Sequence, residues 1–273
     1  MEKINVRKCA LKYPGAKNRI AGWICGNIPA HDVYLEPFFG SGAVFFNKQP
    51  AKIETINDLD DNVVNYFKVI REKSDELISA LRMTPYSREE YNRSFDDMEN
   101  DSDVEMARKF AIKCWMGFGY SNLYRNGFRS SQQSKSPNTT KEWNEFPDRL
   151  LFVAERLKEA QIEKLPAIEL IKRYDTSDVF IYADPPYLRG IRKDYLYKHE
   201  MSDQEHIELL ETLKKHPGKV MISGYESEIY NDILSGWRKI HKTTQAEAGI
   251  KRTETLWMNY GEERQYTLES MLL

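Results

Sequence analysis

Short, dense apolar runs alternate along the chain with longer stretches in which apolar residues recur every three or four positions. "VYLEPFF", "KIETIND", "QIEKL", "VFIYA" and "KVMISGY" have the length and the β-branched or aromatic bias of buried strands. Between them, "NVVNYFKVIREK", "LLFVAERLKEA", "AIELIKRY" and "SDQEHIELLETLKK" carry helical spacing, and "GAVFFNK" reads as the start of a further helix. "GWRKIHKTTQA" and "TETLWMNY" predict two final strands joined by a polar loop. Strand and helix taken in turn predict an α/β protein with a doubly wound sheet.

Residues 85–150 break that rhythm. The segment opens with "TPYSREEYNRSF", where Thr84 is placed to cap and Pro85 to occupy the first helical position. The acidic run "DDMENDSDVE" predicts an exposed link between helices, and a small polar run, "SSQQSKSPNTT", follows later. The expected division is therefore an α/β domain built from residues 1–84 and 151–273, with a helical insert at 85–150. No internal repeat is present, which excludes a solenoid.

Charge changes the picture only locally. The formal net charge of the 273 residues is −2, so any affinity for nucleic acid must come from a patch. Residues 106–141 contain no Asp or Glu but carry Arg108, Lys109, Lys113, Arg125, Arg129, Lys135 and Lys141, with Tyr120, Tyr124 and Phe128 interleaved. The three cysteines, Cys9, Cys25 and Cys114, are odd in number and widely spaced, without metal-type pairing or a preceding leader. They are expected to be reduced thiols. No apolar run approaches the ~20 residues of a membrane span, so a soluble cytoplasmic protein is expected.

Two stretches carry candidate chemistry. In "VFIYADPPYLRG" a strand ends at Asp184, because Pro185 and Pro186 cannot continue it. The carboxyl edge of an open α/β sheet is where ligands bind. Asp184 and the stiffly held proline carbonyls are acceptors and Tyr187 is a flat apolar face, a set suited to a planar ligand bearing an amino group. In "LEPFFGSGAVFF", Gly40 and Gly42 lie between strand and helix, but Phe45 stands where a dinucleotide fingerprint has its third glycine. Asp58, after the next apolar run, is at the distance expected of a carboxylate that accepts from ribose hydroxyls. An adenosine-bearing ligand without a pyrophosphate fits both observations. Upstream, "LKYPGAKNRI" places Tyr13, Gly15 and Lys17 in a Pro-Gly turn.

In this order, "LKYPGAK", "EPFFGSG", "IND", the basic insert and "ADPPY" resemble the Dam-type DNA adenine-N(6) methyltransferases, particularly their phage-associated branch. The likeness extends to "HEMSDQEHIELL", "VMISGYESEIY" and "TETLWMNY" and so spans almost the whole chain. It implies a Rossmann-like, S-adenosylmethionine-dependent methyltransferase fold with an inserted helical DNA-recognition domain. It further implies that Tyr13 and Lys17 lie near the methionine portion of that cofactor, that Glu36, Phe39, Gly40 and Gly42 form the cofactor loop, and that Asp58 binds the ribose. Ile162 and Leu165 would flank the cofactor's adenine, although Pro166 replaces an acid often found there.

Asp184, Pro185, Pro186 and Tyr187 would receive an adenine flipped out of double-stranded DNA, for direct methyl displacement without a metal. "GYSNLYRNGFR" resembles the family's DNA-reading hairpin. There Leu123 would wedge into the base stack and Arg125 would read a guanine edge, while Lys113, Arg129 and Lys135 meet phosphates. The basic run at 189–199 is open to two readings, closure over DNA or a surface loop. Competing functions are N(4)-cytosine or RNA methylation, a catalytically silent DNA-binding scaffold and a nicotinamide-dependent oxidoreductase. Neither the target sequence nor the oligomeric state is legible.

Overall fold

The structure, a computed structural model, describes residues 10–96, 100–118, 124–188, 197–245 and 251–261. Seven strands form one mixed sheet: β1 (Val33–Glu36), β2 (Ile53–Asn57), β3 (Ala160–Glu163), β4 (Val179–Ala183), β5 (Lys219–Gly224), β6 (Arg238–Gln245) and β7 (Lys251–Met258). Their spatial order is β3-β2-β1-β4-β5-β7-β6. β7 runs antiparallel to both its neighbours, while the pairs from β3 to β5 are parallel. Strand order reverses between β1 and β4, where Leu35 pairs with Ile181, and this switch point opens a crevice at the carboxyl edge.

Nine helices are described: α1 (Ala21–Cys25), α2 (Asp61–Glu72), α3 (Ser74–Arg82), α4 (Arg88–Arg93), α5 (Asp103–Met116), α6 (Thr139–Leu157), α7 (Ala167–Arg173), α8 (Asp203–Lys215) and α9 (Glu228–Ile233). The alternation of side chains along a strand divides the interior into two cores. Tyr34, Ile56, Phe180, Tyr182, Met221, Leu256 and Met258 join the apolar faces of α2, α3, α5 and α6. Val33, Leu35, Val179, Ile181, Val220, Ile222 and Trp257 pack under α7, α8 and α9 on the other side. Helices α5 and α6 share their core with α2 and α3, and α6 continues without a break through residue 150.

Local chemistry sets most helix starts. Asp60 caps α2, accepting from the Asn62 amide at 3.0 Å, and Ser202 with Glu205 forms a capping box on α8. Three expected starts are corrected. Thr84 and Pro85 do not open a helix; α4 begins at Arg88 under the Ser87 cap, which accepts from Glu90 N at 3.1 Å. Thr84 instead donates to Ala80 O and accepts from Arg108. After the glycine loop, residues 43–48 make successive turns rather than a helix. Phe45 and Phe46 each lie edge-on to Phe39, and Pro50 closes the segment just before β2. Helix α6 also starts at Thr139, well ahead of the expected "LLFVAERLKEA", because Asn138 caps it by accepting from Lys141 N at 2.9 Å.

On the face shared with α6, Glu54 of β2 is buried between the Lys48 ammonium and the Arg156 guanidinium, forming ion pairs with both. Burial opposes ionisation, but the two cations outweigh it and hold the carboxyl below its usual range. Glu54→Gln would leave two buried cations without their anion, and removal of one partner from such a cluster typically costs about 3–5 kcal/mol. A loss of that size in urea unfolding is expected, with the slope unchanged.

Candidate active site

Four neighbouring strands each carry, within or just past the strand at the switch-point edge, a polar residue on the face of the larger core. Tyr34 and Tyr182 point into that core, so Glu36 and Asp184, two positions on, continue the same columns. Ser223 follows Met221 on β5, and Glu254 precedes Leu256 on the reversed strand β7. The four meet beneath the turn at residues 13–16, where Ala16 N donates to Tyr13 O and Gly15 has a φ of +70°. That turn directs Lys17 inward.

Asp184 is held at both oxygens. Ser223 Oγ donates to Oδ1 at 2.8 Å, and Lys17 Nζ donates to Oδ2 at 2.7 Å. Tyr182 OH lies 2.9 Å from Ser223 Oγ. Lys17 Nζ also donates to Gly15 O at 3.0 Å, lies 3.8 Å from Glu254 Oε1 and sits 4.9 Å from the centre of the Tyr187 ring. Tyr187 donates its phenol proton to Glu254 Oε1 at 2.6 Å, and Tyr225 lies against it at 4.4 Å between ring centres.

The electrostatics follow from burial. Burial alone would discharge Lys17, but the Asp184 and Glu254 carboxylates hold its pKa above the ordinary value. Glu36 is pushed up to about 8 by burial and by Asp184, although Tyr34 donates to it at 2.7 Å. Asp58 is pushed up to about 6 by burial, while the Gly40 and Asp60 amides, at 2.8 and 2.9 Å, act in the other direction.

Above these groups is a cavity of about 910 Å³, the size of a cofactor site. Tyr13, Lys17, Glu36, Phe39, Gly40, Asp58, Asp184 and Pro186 line it. Pro185 and Tyr187 lie outside its wall, Pro185 buried and Tyr187 engaged with Glu254 and Tyr225. Gly42, at φ +67°, is crowded by the Phe39 and Phe46 rings, which a Cβ there would strike at 2.5 Å. Its lack of a side chain therefore serves aromatic packing. Ile162 is half-buried against the larger core. Leu165 fixes the next turn through its backbone, donating to Asn57 Oδ1 at 2.8 Å and accepting from Asn57 Nδ2 at 3.0 Å. The residues that follow, Pro166, Ala167 and Ile168, reach the wall instead.

Sequence reasoning missed Asp60 and Tyr182 in the lining and Ser223 and Glu254 beneath it. A signal existed for the last two: each stands two positions along its strand from an apolar residue of the core, Met221 for Ser223 and Leu256 for Glu254. Of the basic run at 189–199, residues 189–196 lie outside the described set, whereas Tyr197, Lys198 and His199 line the cavity.

The proposed DNA-facing residues separate from this cluster. Gly117 bridges Phe128 in antiparallel fashion and Arg129 N donates to Met116 O at 2.7 Å, which roots a hairpin. Leu123 and Tyr120 lie outside the described residues. Tyr124, half-exposed, lines the cavity. Arg125 Nη2 donates to Asn92 O at 2.9 Å and lies 3.8 Å from Asp96. Arg129 Nε donates to Gly117 O, Lys113 Nζ stands over the Phe95 ring, and Lys135 is exposed. Arg108 and Lys109 are tied to Glu90, Glu105 and Asp101. Among the described residues no group of three His, Cys, Asp or Glu is arranged to hold a metal ion, and no helix is long and apolar enough to cross a membrane.

A raised carboxylate pKa has a thermodynamic sign. The folded state holds the Glu36 proton through a window, from about 4.3 in the unfolded chain to about 8, in which the unfolded state has lost it. Stability therefore falls with rising pH across that window and is fully present below it. Glu36→Gln mimics the protonated form. It is expected to raise the melting temperature at pH 9 relative to the parent and to leave it nearly unchanged at pH 4, as measured by thermal unfolding at the two values.

Comparison with known proteins gives the geometry its context. Residues 13–248 match the family of D12 class N6 adenine-specific DNA methyltransferases. The chain is 26% identical to the type II methyltransferase M1.LlaDCHI of Lactococcus lactis subsp. cremoris, across 95% of this chain and 97% of that one. It is 27% identical to the type II methyltransferase M.MjaIII of Methanocaldococcus jannaschii, across 92% and 98%. The DNA adenine methylase of Escherichia coli is 25% identical over 65% of this chain and 64% of its own length. With Asp184-Pro185-Pro186-Tyr187 at the switch point of a Rossmann-like sheet and the family match running from Tyr13 through β6, the chain belongs to the D12 class N6 adenine-specific DNA methyltransferases and is a DNA adenine methyltransferase.

Proposed function

We propose that the enzyme takes its methyl group from S-adenosylmethionine and delivers it to an adenine flipped out of double-stranded DNA, in the cavity over Glu36, Asp58 and Asp184. The observation that carries this reading is the placement of Asp184 beside Glu36 at the switch point, at the floor of a single cavity that also reaches Asp58. S-adenosylmethionine supplies a methyl group already activated on a sulfonium. The lining suits such a molecule: Asp58, Asp60 and Asp184 favour cationic groups, while Tyr13, Phe39 and Ile168 provide apolar surface. Asp58 keeps lone pairs for ribose hydroxyls beyond the two amides it already accepts from. Phe45 is fully buried and no helix N-terminus follows the glycines, in keeping with a ligand that lacks a pyrophosphate.

Each residue then has a task. Asp184 and the Pro185 carbonyl accept from the two protons of the adenine amino group and hold its nitrogen toward the donor. Tyr187 offers its ring to the extruded base, at a flipping cost of a few kcal/mol. Alignment supplies most of the acceleration, up to ~7–11 kcal/mol in well-oriented systems. The hairpin rooted at Met116 and Arg129 reads DNA from the insert at 85–150, with Leu123 as wedge, Arg125 at a base edge, and Lys113, Arg129 and Lys135 on phosphates. The type II relatives favour a place for this cytoplasmic enzyme as the modifying half of a restriction system.

Transfer of label from S-adenosylmethionine to unmodified duplex DNA, followed by nucleoside digestion, is expected to yield N(6)-methyladenine. Asp184→Asn is expected to lower that rate by at least a thousandfold while DNA affinity stays within threefold; a parallel loss of affinity would make the residue structural. Arg125→Ala is expected to relax sequence preference when the modified sites are sequenced. A uniform loss of affinity at all sites would instead assign that guanidinium to a phosphate.

A further inference from the structure

Glu254 is a buried carboxylate for which the proposed chemistry has no task. It is 6% exposed and stands in the strand column completed by Leu256 and Met258. A carboxylate there has lost its hydration and needs donors in exchange. Two approach it among the described residues: the Tyr187 phenol at 2.6 Å and the Lys17 ammonium at 3.8 Å, both toward Oε1. The same ammonium lies at 2.7 Å from Asp184 Oδ2. One buried cation thus stands between two carboxylates, close to the first and a short movement from the second.

That arrangement conflicts with the task of Asp184. Ser223 donates to one of its oxygens and Lys17 to the other, so an incoming amino group takes a remaining lone pair beside a full positive charge. Hydrogen bonds from ionised donors are roughly twice as strong as neutral ones, and an ammonium held this close draws charge from the carboxylate and weakens it as an acceptor for a neutral amine. Lys17 can draw back from Asp184 only if another anion receives it, because a buried ammonium without a partner is very costly.

The geometry points to Glu254 as a positioning residue that takes Lys17 from Asp184 when the target amino group enters, while its bond to the Tyr187 phenol keeps that ring in place. The inference rests on Asp184 being the acceptor for the amino group. Glu254 itself touches neither the base nor the methyl donor.

The test compares Glu254→Gln, Glu254→Asp, Lys17→Met, the double variant K17M/E254Q and Asp184→Asn. Single-turnover methylation of unmodified duplex DNA is measured at saturating S-adenosylmethionine, alongside the affinities for both ligands and thermal unfolding. Glu254→Gln is expected to slow the methylation step by ten- to a hundredfold with both affinities within threefold of the parent. Glu254→Asp, which keeps the charge, is expected to recover at least a third of the parent rate. Because Glu254 acts through Lys17, the double variant is expected to be within twofold of Lys17→Met alone.

The proposal is overturned by a Gln variant within twofold of the parent, by an Asp variant as slow as Gln, or by a double variant whose loss equals the product of the single losses. A Gln variant that is unfolded, or that loses both affinities, makes Glu254 structural and overturns it as well. If Asp184→Asn keeps its rate, the acceptor assignment fails and takes this inference with it. If Asp184→Asn is inactive while Glu254→Gln is unaffected, the acceptor assignment stands and only the role of Glu254 is lost.

Discussion

A single buried ammonium ties the carboxyl edge of the sheet together. Lys17 comes from the N-terminal turn, Asp184 from the end of β4 and Glu254 from β7, segments far apart in the chain that pack side by side only because the sheet order brings them there. Two carboxylates and a lysine so poor in solvent hold one another by need, since each charge would be prohibitively costly alone. The same cluster fixes Tyr187 through Glu254 and Asp184 through Ser223. The Asp-Pro-Pro-Tyr motif is therefore oriented by residues from three other segments, and its stiffness comes from charge compensation as well as from the two prolines.

The sheet explains why the polar groups collect on one side. Side chains alternate along a strand, so the column carrying Tyr34, Tyr182, Met221 and Leu256 toward the larger core must also carry Glu36, Asp184, Ser223 and Glu254. Past the last layer of apolar packing those columns meet the cavity. The helices of the insert cover that same face, with α5 and α6 packed on α2 and α3. Tyr124, at the described edge of the hairpin, forms part of the cavity wall.

Charge in the insert is less free than its composition suggests. The stretch without Asp or Glu faces the acidic segments that flank it: Arg108 is held by Glu90 and Glu105, Lys109 by Asp101, and Arg125 lies near Asp96. Lys135, on the polar run before α6, is exposed. Asp96 and Asp101, between α4 and α5, thus act as internal counter-charges to the basic stretch.

Much of this was legible in the residues alone. Dense apolar runs alternating with helical spacing specify an α/β sheet because burial on both faces demands it, and a strand that runs into Asp-Pro-Pro-Tyr must end there because proline cannot donate to a ladder. Strand and loop chemistry marked Asp184 and Asp58, while Glu36 and the role of Lys17 came from the resemblance to a family. Composition misled where neighbours decide: the Phe45–Phe46 pair made turns after the glycine loop in place of a helix, and Ser87 took the cap expected of Thr84. Glu254 and Ser223 stayed hidden because their importance is a matter of distance, 3.8 Å to Lys17 and 2.8 Å to Asp184. The sequence by itself determined most of the elements and the end of β4 at Asp-Pro-Pro-Tyr, which depend on short-range periodicity and backbone chemistry. Only the tertiary structure decided which carboxylates share one lysine, because strand order and sheet register, not chain position, set the distances over which buried charges act.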